Sequence, residues 1–244
     1  MSVEGVLKSG YVATARRVER VMATSGLGPV LDARASRSKT VHWLRSLTAI
    51  HDLEAMIRLD VPWWTYRAID RVEGFLRRRP GARVFEYGSG ASTIWLSRRA
   101  GQVTSIEHHA DWHARMQAAL AVRPEGAKVD LRLVTPDAVP DPNALYRSAK
   151  AGTEGRSFAA YARSIDTPGE LFDMVVVDGR ARPACLRHAL KRLAPDGLIV
   201  FDNSNRSRYR ASLASAGLPV RRFPGRAPAL PHSDETALLG HLAS

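Results

Sequence analysis

The sequence predicts a doubly wound α/β fold, a mostly parallel sheet with helices on both faces. Three observations carry that expectation. Short β-branched runs alternate with helical stretches from Arg83 onward, two of those runs are apolar without a break, and a glycine pair stands at the first strand-to-helix turn. Alternation of this kind builds parallel sheets, because the chain must cross back over the sheet before it can lay down the next strand. Val175-Val176-Val177 and Leu198-Ile199-Val200-Phe201 have the composition of strands covered on both faces.

The elements follow in order. The expected organisation is a helical N-terminal extension over 1–61 and one α/β domain over 62–244. The extension reads as helical segments broken around Gly26-Leu27-Gly28-Pro29 and Ser36-Arg37-Ser38. Pro62 opens a helix in which Ile69, Val72, Phe75 and Leu76 recur at helical spacing, and Pro80-Gly81 ends it. Strands are expected at Arg83–Tyr87, Val103–Glu107, Val129–Val134, Asp173–Asp178 and Leu198–Asp202. Helices are expected at Ala91–Arg99, Asp111–Val122, Arg182–Leu193 and Ser207–Ala216. Pro219–Phe223 and Glu235–Leu239 then read as two short strands able to form an antiparallel edge. Between Pro136 and Gly169 the pattern is irregular, with Pro136, Pro140 and Pro142 breaking structure and a short helix at Phe158–Arg163. Excursions of this length cover a ligand in some proteins and are plain surface loops in others, and the sequence leaves both open.

Composition bounds the function. A chain of 244 residues, 45% hydrophobic and 25% charged, suits one soluble α/β domain with a substantial core. A single cysteine, Cys185, excludes an internal disulfide and any cysteine-based metal cluster, and suits a reducing cytoplasm. No apolar run approaches the roughly 18–20 residues that span a bilayer, and Met1–Leu27 lacks the apolar core of a signal peptide. Val6, Leu7, Val12, Val18, Val21 and Met22 outline an amphipathic helix. Such a helix can pack on its own domain, on a second subunit in a homodimer, or on a membrane surface. The formal net charge of +12 attracts anionic partners: nucleic acid, an acidic or phosphorylated small molecule, or an anionic membrane. Arg206, Arg208, Arg210, Arg221, Arg222 and Arg226 occur with no acidic residue between Asp202 and Asp234. They either flank a pocket for an anionic acceptor or are dispersed over solvated surface.

The glycine turn is the first candidate site. Gly88-Ser89-Gly90 lets the backbone bend sharply and approach a ligand. The helix start at Ala91, Ser92 and Thr93 presents unpaired backbone N–H groups. A dinucleotide fingerprint would carry a third glycine where Thr93 stands, which points away from nicotinamide cofactors. Glu107 ends the next strand, where a carboxylate can accept hydrogen bonds from both ribose hydroxyls, and His108 follows it. Trp112 reads as an aromatic wall for adenine or as ordinary core. Asp137 reads as a partner for the adenine amino group or as a turn residue. Glu86 is expected at the mouth of the turn, beside the amino-acid part of a cofactor.

Taken with those residues, VFEYGSGAST, VTSIEHHADW and FDMVVVDGRARPACLRHALKRLAPDGLIVFDNSNR resemble the class I S-adenosylmethionine-dependent methyltransferases. The resemblance runs from Pro62 to Leu242 in order of elements. It implies a Rossmann-like, seven-stranded methyltransferase sheet that ends in an antiparallel hairpin. It also implies that Glu86, Gly88, Gly90 and Glu107 contact S-adenosylmethionine. Ser89, Ser92, Thr93, His108, Trp112, Asp137 and Asp178 complete the expected cofactor-binding set.

The reaction site is expected at the carboxyl ends of the buried strands, where Asp178 and Asp202-Asn203 fall. Three oxygen ligands suit Mg²⁺ or Ca²⁺, which would acidify an acceptor hydroxyl. That arrangement resembles the catechol and caffeoyl-CoA O-methyltransferases. This chain departs from them after the aspartate, with Gly179-Arg180-Ala181-Arg182 where those enzymes commonly carry a lysine. Arginine stays protonated, so Arg180 reads as a clamp for a carboxylate or phosphate and not as a base. Asp178 either ligates a metal or touches cofactor or acceptor directly, and Asp202-Asn203 either ligates or caps a turn. The leading reading is O-methylation of a small acceptor, anionic or saccharide. Nucleic-acid methylation is the alternative, although Val177-Asp178-Gly179-Arg180 stands where base-amino methyltransferases carry Asn-Pro-Pro-Tyr or Asp-Pro-Pro-Tyr. A cofactor-binding or assembly protein with the same fold is the third.

Overall fold

The computed structural model describes residues 38–49, 52–139, 141–148 and 152–241; the helices expected before residue 38 lie outside them. The described part of the extension holds α1 (Lys39–Ser46), a short 3₁₀ turn and α2 (Leu53–Leu59). Ser38 and Asp52 cap the two helices, accepting from the Val41 and Ala55 amides. α3 (Tyr66–Arg77) follows and buries Ile69, Val72, Phe75 and Leu76, the residues whose spacing predicted it. Pro62-Trp63-Trp64 stays outside the helix.

The sheet has seven strands: β1 (Arg83–Tyr87), β2 (Gln102–Glu107), β3 (Val129–Leu133), β4 (Phe172–Val177), β5 (Leu193–Asp202), β6 (Val220–Arg226) and β7 (Ser233–Leu239). Their spatial order is β3-β2-β1-β4-β5-β7-β6. The first five run parallel, and β7 joins β5 and β6 antiparallel, as the tail predicted. Helices α4 (Ala91–Ser97), α5 (Ala110–Ala121), α6 (Ala159–Arg163), α7 (Arg182–Arg192) and α8 (Arg210–Ala214) make the connections. β5 begins five residues earlier than the apolar run indicated. Pro195-Asp196-Gly197 reads as a turn, with Asp196 left-handed at φ 60°, but a register shift opposite Phe172 and Met174 absorbs it.

Strand alternation sorts the side chains into two cores. Val84, Met174, Val176, Leu198, Val200 and Leu238 point into one, covered by α3, Trp95 and the residues Ala49, Met56 and Val61 of the extension. Phe85, Tyr87, Val175, Val177, Ile199, Phe201 and Leu239 point into the other, covered by α6 and α7. The extension is tied to the sheet side by polar contacts too: Trp43 Nε1 donates to Leu230 O at 2.9 Å, and the Ala229 amide donates to Ser46 Oγ at 2.9 Å. Since α4 and α7 cover opposite faces, the chain reverses its winding between β1 and β4. In an open sheet of this kind that reversal opens a crevice at the strand carboxyl ends. Among the described residues no helix is long and apolar enough to cross a membrane.

Candidate functional site

Gly88-Ser89-Gly90 and Asp178-Gly179-Arg180 continue adjacent strands into that crevice, and all six residues are half-exposed. The ladder carries on past the strand ends: the Asp178 amide donates to Tyr87 O at 3.1 Å and the Gly88 amide to Ile106 O at 2.9 Å. Two glycines make this close pairing possible. Gly88 is left-handed at φ +96°, and a Cβ there would lie 3.0 Å from Gly179 Cα.

Beneath the turn lies Glu86, with no exposed surface. Ser92 and Thr93 each donate to its carboxylate at 2.5 Å, and Ser105 donates at 2.6 Å. The Thr93 hydroxyl also accepts from the Gly90 amide at 3.0 Å. Where a dinucleotide enzyme has its third glycine, this chain therefore uses a hydroxyl to pin the turn to the strand below. Burial pushes the Glu86 carboxyl up to about 7 despite its three donors.

Glu107, at the end of β2, is arranged differently. It accepts from Ser89 Oγ at 2.9 Å and from the His108 and His109 amides at 2.7 and 2.9 Å. Burial raises its proton affinity, but His108, the His109 amide and Ser89 outweigh that and hold the carboxyl below its usual range. It is ionised at neutral pH, an acceptor in place for hydroxyls. Trp112 reaches from α5 to donate its indole N–H to Ser89 O at 2.9 Å, so it braces the turn from the side.

Against this geometry, a family described as a methyltransferase domain matches residues 85–204. The match spans the segment from β1 to the turn after β5. Solved structures agree on the fold. An O-methyltransferase of Streptomyces achromogenes involved in tomaymycin synthesis, solved with S-adenosylmethionine, is 20% identical over 81% of this chain and 90% of its own, with a TM-score of 0.55. A Bacillus cereus O-methyltransferase in complex with S-adenosylhomocysteine is 17% identical over 78% and 90%, at 0.54. A Klebsiella pneumoniae protein assigned as an O-methyltransferase is 21% identical over 81% and 90%, at 0.55. No curated protein matches the sequence.

Within the matched segment the expected residues separate into groups. Glu107, Ser89, Trp112 and the glycines come together at the ends of β1 and β2. Glu86, Ser92 and Thr93 lie just underneath and hold them; Glu86 is sealed below the turn and not at its mouth as expected. Asp137 sits elsewhere. Its carboxylate accepts from Ser157 Oγ at 2.7 Å and from the Ala159 and Ala160 amides at 2.6 and 3.1 Å, capping the start of α6. It ties the chain beyond β3 to the start of α6. The His108 ring packs beside Phe158 and Tyr161 of that excursion, with centroids 5.7 and 6.1 Å away. His188 lies 2.6 Å from Asp166 and 3.0 Å from the Tyr146 hydroxyl.

At the ends of β4 and β5 the trio Asp178, Asp202 and Asn203 does not fit a divalent ion. The guanidinium of Arg182 stands between the two aspartates. Its Nη2 donates to Asp178 Oδ1 at 2.6 Å, and its Nη1 lies 3.8 Å from Asp202 Oδ2. Asp202 Oδ1 accepts from Thr236 at 3.0 Å, and Asn203, left-handed at φ 50°, donates its amide to Asp234 at 2.7 Å. No group of three acidic, histidine or cysteine side chains among the described residues is placed to hold a metal.

Two functional candidates escaped the sequence reading. Arg182 draws no reading of its own beside Arg180, which reads as a clamp for an anion. Tyr161 comes from the irregular excursion: its hydroxyl is fully buried, makes no hydrogen bond, and lies where a Cβ on Gly179 would fall 1.9 Å from it. The pattern Asp178-x-x-x-Arg182, one helical turn apart, was the available signal for the first. No signal marked the second.

Proposed function

We propose that this methyltransferase domain binds S-adenosylmethionine across the ends of β1, β2 and β4 and transfers its methyl group to an oxygen of a small anionic acceptor. The observation that carries the reading is the pairing of the glycine turn with Asp178-Gly179-Arg180 in one crevice, beside the ionised Glu107. Three of the similar structures being O-methyltransferases supports oxygen as the receiving atom.

When bound, the cofactor supplies a methyl carbon made electrophilic by a sulfonium. Glu107 accepts hydrogen bonds from the ribose hydroxyls, exchanging its contact with Ser89 for them. The Gly88–Gly90 backbone, free of side chains, lets the amino-acid part lie close. Asp178 keeps 23% of its side chain exposed to the crevice. Burial raises its proton affinity, with Arg182 opposing and Asp234 adding, which suits it to take the proton of an acceptor hydroxyl. Among the described residues Arg180 has no ion-pair partner, and its Nε is buried and makes no hydrogen bond. Burial lowers its affinity for its proton, but arginine stays charged at neutral pH. A half-buried cation with an open donor suits an anionic acceptor group.

Calorimetry with S-adenosylhomocysteine tests the cofactor reading. Binding is expected, with Glu107→Ala weakening it by roughly 10- to 100-fold, the worth of hydrogen bonds to a charged acceptor. Absence of binding to the intact protein overturns the reading. Nucleic-acid methylation would instead show steeply salt-dependent binding to RNA or DNA.

A further inference from the structure

Arg182 occupies a costly position. It opens α7, next to Ala181, which is left-handed at φ 43° and supplies no side-chain cap. A cation at a helix N-terminus meets the positive end of the helix dipole, and only 8% of this side chain is exposed. Burial and dipole both disfavour a guanidinium here. What offsets them is a ring of acceptors from two strand ends. Nε donates to Gly179 O at 3.2 Å, and Nη2 donates to Asp178 O at 2.8 Å and to Asp178 Oδ1 at 2.6 Å. Nη1 donates to Asp202 O and faces Asp202 Oδ2. The planar fork thus donates to one carboxylate and three backbone carbonyls and stands 3.8 Å from a second carboxylate as an ion pair.

Remove the guanidinium and the buried Asp202 and half-buried Asp178 carboxyl groups, with their carbonyls, face one gap, an all-oxygen set of the kind hard divalent cations take. We propose that Arg182 is a resident cation standing in for a divalent metal between Asp178 and Asp202, so that this chain neutralises and orients its carboxylate pair without a metal ion. Arg182 is then a positioning residue, acting on the crevice through Asp178. The ion triad is a property of the chain's own residues and does not depend on which reaction the crevice performs.

The test is metal binding to the full-length protein with Mn²⁺ and Ca²⁺ as probes, followed by water-proton relaxation and thermal denaturation. Wild-type protein is expected to show no saturable Mn²⁺ binding and no change of Tm with EDTA. Arg182→Ala is expected to lower Tm and to be rescued by Ca²⁺, Mn²⁺ or methylguanidinium, with the rescue lost when Asp202→Asn is added. Arg182→Lys, which keeps the charge but not the fork, should fall between. A purely structural arginine would not be rescued by a metal ion. Saturable Mn²⁺ binding by wild-type protein, abolished by Asp178→Asn or Asp202→Asn, overturns the proposal, as does a folded Arg182→Ala that no cation stabilises. If Arg182→Ala does not fold, the wild-type titration and Arg182→Lys decide. The Mn²⁺ measurement needs neither cofactor nor acceptor, so its failure is distinct from failure of the methyl-transfer reading.

Discussion

At the end of β1 a buried carboxylate is held by three hydroxyls; at the ends of β4 and β5 two carboxylates are held by one guanidinium. Hydroxyls can rotate, donating to Glu86 when it is ionised and accepting when it carries a proton. The turn above it can therefore survive either state, and burial places the switch near neutrality. Arg182 has no such freedom. It stays charged, and its five donors are fixed in a plane, so the β4–β5 end has one arrangement. One end tolerates a proton; the other is built around a permanent charge.

The comparison breaks most severely at Arg182. Arg182→Met leaves the buried Asp202 and half-buried Asp178 without their cation, and is expected to lower the unfolding free energy by about 3 kcal/mol in urea denaturation. Glu86→Gln probes the other end through pH. A carboxyl whose folded value is raised from 4.5 to about 7 binds its proton more tightly when folded. Its contribution is complete below the unfolded value and is lost as pH rises through about 7. Wild-type stability should thus fall relative to Glu86→Gln between about pH 4.5 and 7, by roughly 2–3 kcal/mol. Parallel denaturation curves at the two pH values would show that Glu86 is not protonated on folding. Trp112→Phe, which deletes only the indole bond to Ser89 O, should have the smallest effect, about 1 kcal/mol on stability or on S-adenosylhomocysteine affinity.

The fold was legible because its signals are redundant. Val175–Val177 and Leu198–Phe201 could only be covered strands, and the glycine turn marked where the first ended. Glu107 was legible for the same reason: a strand end after a glycine turn is a defined place. Side-chain direction was not. Arg182 sits in Arg180-Ala181-Arg182, where nothing in the sequence tells which arginine faces the aspartates. Only the left-handed Ala181 turns Arg182 inward. Asp137 reads as an adenine partner or a turn residue, and nothing in the sequence says that it accepts from the amides at the start of α6. Glu86 looked like a ligand-facing acid because nothing in the sequence says that Ser92, Thr93 and Ser105 converge beneath the turn.

The contact of Tyr161 with Gly179 ties two distant stretches of sequence into one inheritance. A larger residue at 179 collides with the hydroxyl, and Gly88 across the strands leaves no room for the backbone to retreat. Drift at any of the three positions is therefore constrained by the other two. Anyone transplanting the 136–169 excursion from another chain would have to bring matching residues at 88 and 179 with it.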